Sequence, residues 1–330
     1  MNRAFLLAFA GFVLAALVVC PAYAVTYHTM DLGAWMQVTD MNQSGQVVGT
    51  GLDYNARIWD PRTGVSVLPC QPSAYPKGVN DSGVVVASTG QGQAIRIDAT
   101  GSTTLIGLSS LKNTPSEINN ADQVAGASYG AGGLRPVLWS ADGSVSDLGV
   151  LDPHCDTGWA NDVNDAGQVV GKSGTHAFLW SRASGMRDLG PGEAMAISNS
   201  GLVVVNSADH LSSYIWRDGT GLAPLGKLSD WASNLGADIN GLGQVVGGAT
   251  DAEGRRLPVL WNPDGSIVVL PKPSDAAPSY GCAIAINDAG WVLGSVYQEA
   301  LLWTPVPEPS SLAALLAGLA GFGALVRRRR

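Results

Sequence analysis

The densest group of chemically capable side chains is the segment Asp152-Pro153-His154-Cys155-Asp156, which places an imidazole, a thiol and two carboxyls together. A zinc site needs such ligands at a definite spacing, commonly from more than one segment. His28, His176 and His210 lie far away in the chain, and no second cluster accompanies them. We therefore interpret the segment as a polar connecting loop and predict no metal and no other cofactor.

Carboxyl groups offer a second chemistry, because glycoside hydrolases cleave sugars with a positioned pair of acidic residues. Glu117, Glu193, Glu253 and Glu299 are available together with scattered aspartates, but their spacing singles out no pair. No catalytic residue is predicted. An exported enzyme that acts on polysaccharide remains the alternative, and it requires two acidic side chains that converge in a rim or central pocket.

Tryptophan rings that stack on sugars would be a third kind of site. Trp35, Trp159 and Trp231 lie outside the strand pattern described below, in segments that lead into hairpins. Asp156 and Asp230 lie close to two of them in the chain. These three tryptophans are the candidate ligand-binding residues.

A short hairpin unit recurs seven times and must position any such site. The copy Val163-Asn164-Asp165-Ala166-Gly167-Gln168-Val169 is typical. Asn favours the turn and Gly adopts positive φ, which suits a hairpin loop with a left-handed residue; Asp122 replaces this Gly once. Copies lie roughly 35 to 47 residues apart, a spacing typical of four-stranded propeller blades. They begin at Met41, Val79, Ile118, Val163, Ile197, Ile239 and Ile286.

Each hairpin is followed by an apolar strand and then by a strand that ends near Leu-Gly, as at Leu148-Gly149. Adjacent apolar residues such as Val47-Val48 indicate sheets that are buried on both faces. One position near the end of the third strand of each repeat is occupied by Trp in six repeats and by Ile97 in the second. Because these residues hold equivalent positions, we predict that they form the core between blades. The tryptophans are Trp59, Trp139, Trp180, Trp216, Trp261 and Trp303.

The two ends of the repeat array complement each other. The seventh repeat stops at Trp303-Thr304-Pro305 without a fourth strand, whereas Thr26 to Gly33 matches such a strand before the first hairpin. The sequence therefore predicts an all-β fold, a seven-bladed β-propeller over residues 25–304 that the N-terminal strand closes. A linear solenoid is the alternative, and it would leave that strand unpaired.

The segment His176-Ala177-Phe178-Leu179-Trp180 resembles the HAF repeat of extracellular bacterial proteins. This resemblance spans most of residues 26 to 303. It implies an extracellular location and says less about activity.

The N-terminus has the form of a secretory signal peptide. Met1-Asn2-Arg3 precedes an apolar run from Ala4 to Val19, and the small residues Ala22 and Ala24 mark a cleavage site after residue 24. A lipoprotein acylated at Cys20 is the alternative, although Val18-Val19 stand where the acylation motif needs a small residue. We predict a cleavable signal peptide over residues 1–24 and the secretion machinery as a partner.

The C-terminus predicts a sorting signal over residues 305–330. The motif Pro307, Glu308, Pro309 precedes an apolar run from Leu312 to Val326, which predicts a transmembrane helix. The tail Arg327, Arg328, Arg329, Arg330 acts as a membrane stop on the cytoplasmic side.

This arrangement resembles the PEP-CTERM sorting signal of Gram-negative, exopolysaccharide-producing bacteria. The resemblance implies an exosortase-type sorting enzyme as a partner and a helix that anchors the chain in the inner membrane at least transiently. A permanent C-terminal anchor is the alternative to removal of the tail.

Charge and cysteine content limit the remaining possibilities. The net charge of −8 argues against nucleic acid and anionic lipid surfaces as partners. Cys70, Cys155 and Cys282 remain after export, so at most one intramolecular disulfide can form, and the sequence does not choose the pair.

The sequence thus predicts an exported protein of the cell envelope or extracellular space, sorted to the surface and not an enzyme. We expect a binding or structural role in the envelope, extracellular matrix or biofilm, with exopolysaccharide as the glycan partner. A surface-layer protein without any ligand is a further alternative to the exported enzyme.

Overall fold

A computed structural model describes residues 26–306, apart from residues 34, 71–72, 110, 156, 273–279 and 297–298. The predicted signal peptide and the segment from Pro307 to Arg330, with its predicted transmembrane helix, lie outside the described residues. Every regular element within the described part is a β-strand, and the strands form seven antiparallel sheets of four strands each. The predicted all-β fold with seven blades is confirmed.

Each of the first six blades contains four consecutive strands that run from the axis outward. In the first three blades these are β2 (Trp35–Met41), β3 (Val47–Gly51), β4 (Ala56–Asp60), β5 (Gly64–Val67), β6 (Ala74–Val79), β7 (Val85–Thr89), β8 (Ala94–Asp98), β9 (Gly101–Leu105), β10 (Asn113–Ile118), β11 (Val124–Gly130), β12 (Gly133–Trp139) and β13 (Val145–Asp147). In the next three blades they are β14 (Gly158–Val163), β15 (Val169–Ser173), β16 (His176–Ser181), β17 (Gly185–Pro191), β18 (Glu193–Ile197), β19 (Val203–Asn206), β20 (Ser213–Arg217), β21 (Gly221–Pro224), β22 (Asn234–Ile239), β23 (Val245–Thr250), β24 (Arg256–Trp261) and β25 (Ile267–Val269).

The seventh blade joins the two ends of the chain. It contains β26 (Gly281–Ile286), β27 (Val292–Val296) and β28 (Glu299–Pro305), and β1 (Tyr27–Asp31) is its outermost strand. In the antiparallel register of β1 and β28, Thr29 lies opposite Trp303. The innermost strands β2 and β26 are also in contact, so the ring is closed. The predicted closing strand is confirmed, and the linear solenoid is excluded.

Apolar side chains fill the spaces between neighbouring blades. Val47 and Val48 are both completely buried although they point to opposite faces of one sheet. At the repeated tryptophan position, Trp139, Trp261 and Trp303 are at most 1 % exposed, and Ile97 takes the same role in blade 2. Stacked blades therefore bury both faces of each sheet, as the paired apolar residues predict.

The ring has two faces with different loops. One, the hairpin face, carries the seven repeated hairpins that join the first and second strands of each blade, with the repeated asparagine in six of them and Ser198 in blade 5. The opposite face, the connection face, carries the segments that lead from one blade to the next, such as residues 225–233. Asp122 adopts a φ of 57° in its hairpin, which confirms that it replaces glycine in a left-handed conformation.

The repeated asparagine of the hairpin also binds the neighbouring blade. In blade 4, the Oδ1 atom of Asn164 accepts the N–H of Gln168 within the turn at 3.0 Å. Its Nδ2 atom donates to the carbonyl oxygen of Ser198 in blade 5 at 3.1 Å. An equivalent bond to a backbone carbonyl oxygen of the next blade is made by Asn42, Asn80, Asn119, Asn240 and, at the closing seam, Asn287. We call these bonds together the asparagine belt.

A second circle of bonds, the rim belt, runs through the residues that follow these asparagines. The N–H of Asp165 donates to Oδ1 of Asn199 in the next blade at 2.9 Å. Equivalent bonds run from Gln43 to Asp81, Asp81 to Asn120, Asn120 to Asp165, Gly241 to Asp288 and Asp288 to Gln43. The hairpin face is therefore bound around most of its circumference by hydrogen bonds between blades.

Both belts are interrupted between blades 5 and 6. Ser198 is too short to reach the next blade, and Gly241 has no side chain to accept a bond. A buried network near the connection face replaces them: Nδ2 of Asn206 donates to the carbonyl oxygen of Gly236 at 3.0 Å, and the N–H of Ser213 donates to Oδ1 of Asn234 at 3.0 Å. This interface is thus stabilised by polar contacts at its other end.

The substitution Asn119→Ser tests the asparagine belt, because it keeps a turn acceptor of the kind that blade 5 uses and removes the donor to Asn164. We expect the free energy of unfolding to fall by about 1–2 kcal/mol, since a buried carbonyl loses its partner. Urea denaturation measures this change. Asn55→Ser, in a turn on the connection face whose side chain bonds only Asp53, is the control and should change stability by less than about 0.5 kcal/mol. Equal losses in both variants would contradict the role of the belt.

Candidate functional site at the propeller axis

All seven inner strands contain a β-bulge close to the hairpin face. In blade 4 the register shifts between Ala160 and Asp162, so that Asn161 is the extra residue. A bulge re-aims the side chains that follow it. The residues directly after the seven bulges are Asp40, Gly78, Glu117, Asp162, Ala196, Asp238 and Ala285.

Four of these positions are acidic, and their side chains line a pocket of about 150 Å³ on the axis. We call Asp40, Glu117, Asp162 and Asp238 the axial carboxylates. Glu117 was among the glutamates whose spacing singled out no pair, and the three aspartates were not selected from the sequence. A signal was available, because an acidic residue stands two positions before the repeated asparagine in these four repeats.

The axial carboxylates accept hydrogen bonds from the inner ends of the strands. Asp162 accepts the N–H groups of Val163 at 2.6 Å and of Ile197 in the next blade at 2.7 Å. Asp238 binds Ile239 and Ile286 in the same way.

Asp40 binds the N–H groups of Val79 and Met41, and Glu117 binds that of Ile118 at 2.9 Å. Four carboxyl groups thereby satisfy seven backbone donors, one from each blade.

Small residues make the bonds between blades possible. Each aspartate reaches a neighbouring blade whose own residue after the bulge is Gly78, Ala196 or Ala285. Gly78 also leaves room for Glu117, because a Cβ atom at residue 78 would lie 2.0 Å from its Oε1 atom. The pattern of acidic and small residues around the ring is therefore sterically matched.

Burial raises the pKa of all four carboxyl groups. It is the largest cause in each case, and it raises the pKa of Asp40 and Asp162 to about 7 and that of Asp238 to about 6. The pKa of Glu117 is raised well above its usual range, first by burial and then by the charge of Asp40. The backbone N–H bonds act in the opposite direction, because they favour the ionised form.

A carboxyl group with a raised pKa in a pocket can act as a general acid. The aspartates here already direct each carboxyl group at two backbone donors, which limits their approach to a substrate. Within the described ranges, no group of three or more His, Cys, Asp or Glu side chains is arranged to hold a metal ion. The arrangement is best suited to holding the blades together and to taking up protons.

The structure does not bring the three candidate tryptophans together. Trp35 is 5 % exposed, and its Nε1 atom donates to the carbonyl oxygen of Leu32 at 3.1 Å. Trp159 is partly buried and donates to Glu193, whereas Trp231 is 96 % exposed on the connection face. Of the three, Trp231 alone offers a ring largely open to solvent, and its role in ligand binding stays a prediction.

The loop that contains His154 and Cys155 forms local bonds. The N–H of His154 donates to Asp152, and Sγ of Cys155 donates to the carbonyl oxygen of Thr157. Asp156 lies outside the described residues. Cys70, Cys155 and Cys282 are free thiols in the structure.

Two further segments resemble catalytic or phosphate-binding motifs, and neither forms such a site. Residues 126–130 read Gly-Ala-Ser-Tyr-Gly, the pattern of a hydrolase nucleophile, but Ser128 lies within β11 with no exposed surface and its Oγ atom accepts the N–H of Leu108. Residues 221–227 resemble a phosphate-binding loop, yet Leu228 replaces the required Ser or Thr, and the segment begins with the outer strand β21.

Residues 305–330 match the family described as the PEP-CTERM protein-sorting motif. The chain carries a PEP-CTERM sorting motif. The motif implies an exported protein that an exosortase-type enzyme recognises and sorts to the cell envelope. Among curated proteins the comparison finds no relative of this chain. In the part of the chain that the structure describes, no helix is long and apolar enough to cross a membrane.

Several solved structures share the propeller fold. Virginiamycin B lyase from Staphylococcus aureus is 9 % identical, with a TM-score of 0.62 over 86 % of this chain and 100 % of that protein. A streptogramin B lyase is 10 % identical, with a TM-score of 0.61 over 85 % and 98 %. A chain of the mitotic checkpoint complex is 15 % identical, with a TM-score of 0.57 over 93 % and 100 %. At these identities the likeness shows the fold alone.

The raised pKa values of the axial carboxylates predict that the stability of the protein decreases as the pH rises toward and through 7. A carboxyl group that titrates near pH 4 in the unfolded chain and near pH 7 in the folded chain binds more protons when folded, so stability falls as the pH rises through 7. We expect the melting temperature to decrease between pH 5 and pH 8. Glu117→Gln should reduce this decrease, because its amide stays neutral, whereas Glu253→Gln, at an exposed carboxyl group, should not. A melting temperature that rises over this range would contradict the assignment.

Proposed function

We propose that this chain is a surface-sorted propeller that binds polysaccharide outside the cell, as a binding or structural component of the envelope, matrix or biofilm. The sorting motif supports delivery to the envelope. The position of the chain ends supports the orientation in which the propeller works, and the surface of the connection face supports the binding role. The resemblance to extracellular HAF repeats agrees with this location and is part of the proposal.

Both ends of the propeller emerge side by side on the hairpin face. The N–H of Val306 donates to the carbonyl oxygen of Thr26 at 2.8 Å, directly after the pairing of Tyr27 with Pro305. The sorting tail therefore begins on the hairpin face. A chain held by this tail would direct its hairpin face to the membrane and its connection face outward.

The connection face carries exposed aromatic side chains that a binding surface can use. Tyr54, Tyr129, Trp231 and Tyr280 are 54 %, 38 %, 96 % and 62 % exposed. Aromatic rings with a polar group contact ligands that are partly apolar and partly hydrated, as sugars are. This surface is the single observation that carries the proposed binding role.

An exported enzyme that acts on polysaccharide is the second candidate, and the raised pKa of Glu117 favours it. Glycoside hydrolysis needs one protonated and one ionised carboxyl group free to reach the scissile bond. The backbone bonds of the axial carboxylates argue against that freedom. Release of new reducing ends from polysaccharide, lost in Glu117→Gln, would favour the enzyme over the binding protein.

The exposed ring of Trp231 provides a direct test of the binding role. The exported protein is incubated with the exopolysaccharide of its own cells, and co-sedimentation measures the bound fraction. We expect Trp231→Ala to weaken binding about tenfold, because stacked aromatic contacts contribute on the order of 1 kcal/mol or more. Leu242→Ala, at a 64 % exposed side chain of the hairpin face, is the control and should bind normally. A wild-type protein that does not co-sediment with the polysaccharide would contradict the binding role.

The sorting motif predicts that Pro307→Ala combined with Glu308→Ala changes the mature protein. Intact mass and cell fractionation compare this variant with the wild type. We expect the wild type to lack residues 1–24 and the C-terminal tail, and the variant to keep its tail in the membrane fraction. Glu253→Ala, a similar change in a turn of the propeller, should be processed normally. A tail retained in both proteins would show a permanent anchor instead.

A further inference from the structure

A cleft of about 540 Å³ opens between blades 2 and 3. Strands β6 and β7 form one wall, β10 forms the other, and the turn around Gly90 and Gly92 borders it. Tyr75, Lys77 and Lys112 line it, so the cleft contains two cationic side chains in a chain whose net charge is −8. This cleft is separate from the axial pocket.

The equivalent groove between blades 4 and 5 is closed by an internal carboxylate. Nε1 of Trp159 and Nδ2 of Asn161 both donate to Oε1 of Glu193 at 2.9 Å. Nζ of Lys172 lies 4.0 Å from Oε2 of the same residue and 5.4 Å from the ring of Trp159. The carboxylate of the next blade is thus surrounded by three kinds of residue: an aromatic residue, the extra residue of the bulge and a residue of the second strand.

Strand register identifies the same donor positions in the open cleft. Tyr75 pairs with Ser88, and Trp159 pairs with Lys172. Tyr75 therefore corresponds to Trp159, and Ser88 corresponds to Lys172. Lys77 is the extra residue of its bulge, as Asn161 is.

The acceptor position of the open cleft holds no carboxylate. Glu193 stands immediately before Ala194, the residue that precedes the bulge of β18. Thr114 stands in the same place before Pro115 in β10. Blade 3 thus offers a short hydroxyl side chain where blade 5 offers a carboxylate.

The donors of the open cleft lack partners of their own. The Oγ atom of Ser88 is buried and has no hydrogen-bond partner. Lys77 forms no ion pair with any other residue that the structure describes. A hydroxyl group and an ammonium group therefore stand where Lys172 and Asn161 of the equivalent groove contact a carboxylate.

The border of the cleft is fixed before any ligand arrives. The N–H of Asn113 donates to the carbonyl oxygen of Gly92 at 2.9 Å, which joins blade 3 to the turn of blade 2. Gly92 has a φ of +76°, and a Cβ atom there would lie 3.0 Å from Cγ of Lys112. The missing side chain lets the lysine pack along the turn at the edge of the cleft.

We propose that this cleft binds the carboxylate of an acidic saccharide, which takes the place that Glu193 fills between blades 4 and 5. The hydroxyl groups of Ser88, Thr89 and Thr114 and the ring of Tyr75 suit a polyhydroxylated ring better than a peptide, whose recognition uses strand edges or apolar pockets. This inference rests on the proposed polysaccharide-binding function and names its ligand class and site.

The substitution Thr114→Glu tests the proposal by supplying the missing carboxylate from the protein itself. The probe is tri-galacturonate at pH 7, and isothermal titration calorimetry on the exported protein measures its affinity. We expect the wild type to bind and Thr114→Glu to bind at least about tenfold more weakly with a raised melting temperature, because an internal carboxylate occupies the donors. Thr114→Gln, similar in size but uncharged, should bind more tightly than Thr114→Glu.

Lysine substitutions separate a specific contact from general charge. Lys77→Gln should weaken binding about tenfold, the usual effect of losing one charge-assisted hydrogen bond. Lys227→Gln removes the same charge from an exposed position of the connection face and should bind like the wild type. Equal effects of the two lysine changes would overturn the site.

The remaining outcomes distinguish the site from the general function. Binding of a neutral cello-oligosaccharide as tight as that of tri-galacturonate, unaffected by Thr114→Glu, would overturn the cleft and leave the polysaccharide-binding function standing. Binding of oligo-glutamate in preference to the saccharide would replace the saccharide with an acidic peptide and overturn the ligand class. Absence of tri-galacturonate binding would overturn the site. The proposed function would be contradicted only if the protein also failed to bind the native exopolysaccharide.

Discussion

The propeller depends on the hydrogen bonding of backbone N–H groups at the inner ends of its blades. A strand beside the axis has no further strand to pair with on its inner side, and an unsatisfied buried N–H group costs about 1–3 kcal/mol. Seven such groups converge here, and four carboxyl groups accept all of them. This solution places acidic groups together in a confined space, which raises their pKa values and links the stability of the ring to pH.

The same constraint explains why the repeats differ from one another. If all seven positions after the bulges were acidic, the charges would repel each other, and if all were small, the donors would stay unsatisfied. A mixture of acidic and small residues lets Asp162 reach over Ala196 and lets Glu117 occupy the space beside Gly78. Another set of equivalent positions holds Glu193 in blade 5 and Thr114 in blade 3. The glutamate fills the groove between blades 4 and 5, whereas the shorter threonine leaves the cleft between blades 2 and 3 open. Divergence between repeats therefore creates distinct local sites on one scaffold.

The closing strand determines where the two ends of the chain leave the ring. Because β1 completes blade 7, the chain enters and leaves the ring at one place on the hairpin face. The belts of hydrogen bonds lie on that face, whereas most exposed aromatic rings lie on the other. The stabilised face is thus the one at which the described chain ends, at Val306, and the exposed aromatic rings lie on the opposite face.

The sequence by itself determined the number of blades, the hairpin at each Asn and Gly, the closing strand and the sorting motif. These features follow from turn chemistry, strand patterning and repetition, which act over a few neighbouring residues. Four of the six tryptophans of the repeated position are buried as predicted, and Trp59 and Trp180 are partly buried and pack against the core. Only the tertiary structure decided that Trp35 is buried, that the asparagines bind neighbouring blades and that the axial carboxylates meet. Those outcomes depend on bulges that re-aim side chains and on partners about 30 to 50 residues away, and no local pattern specifies either.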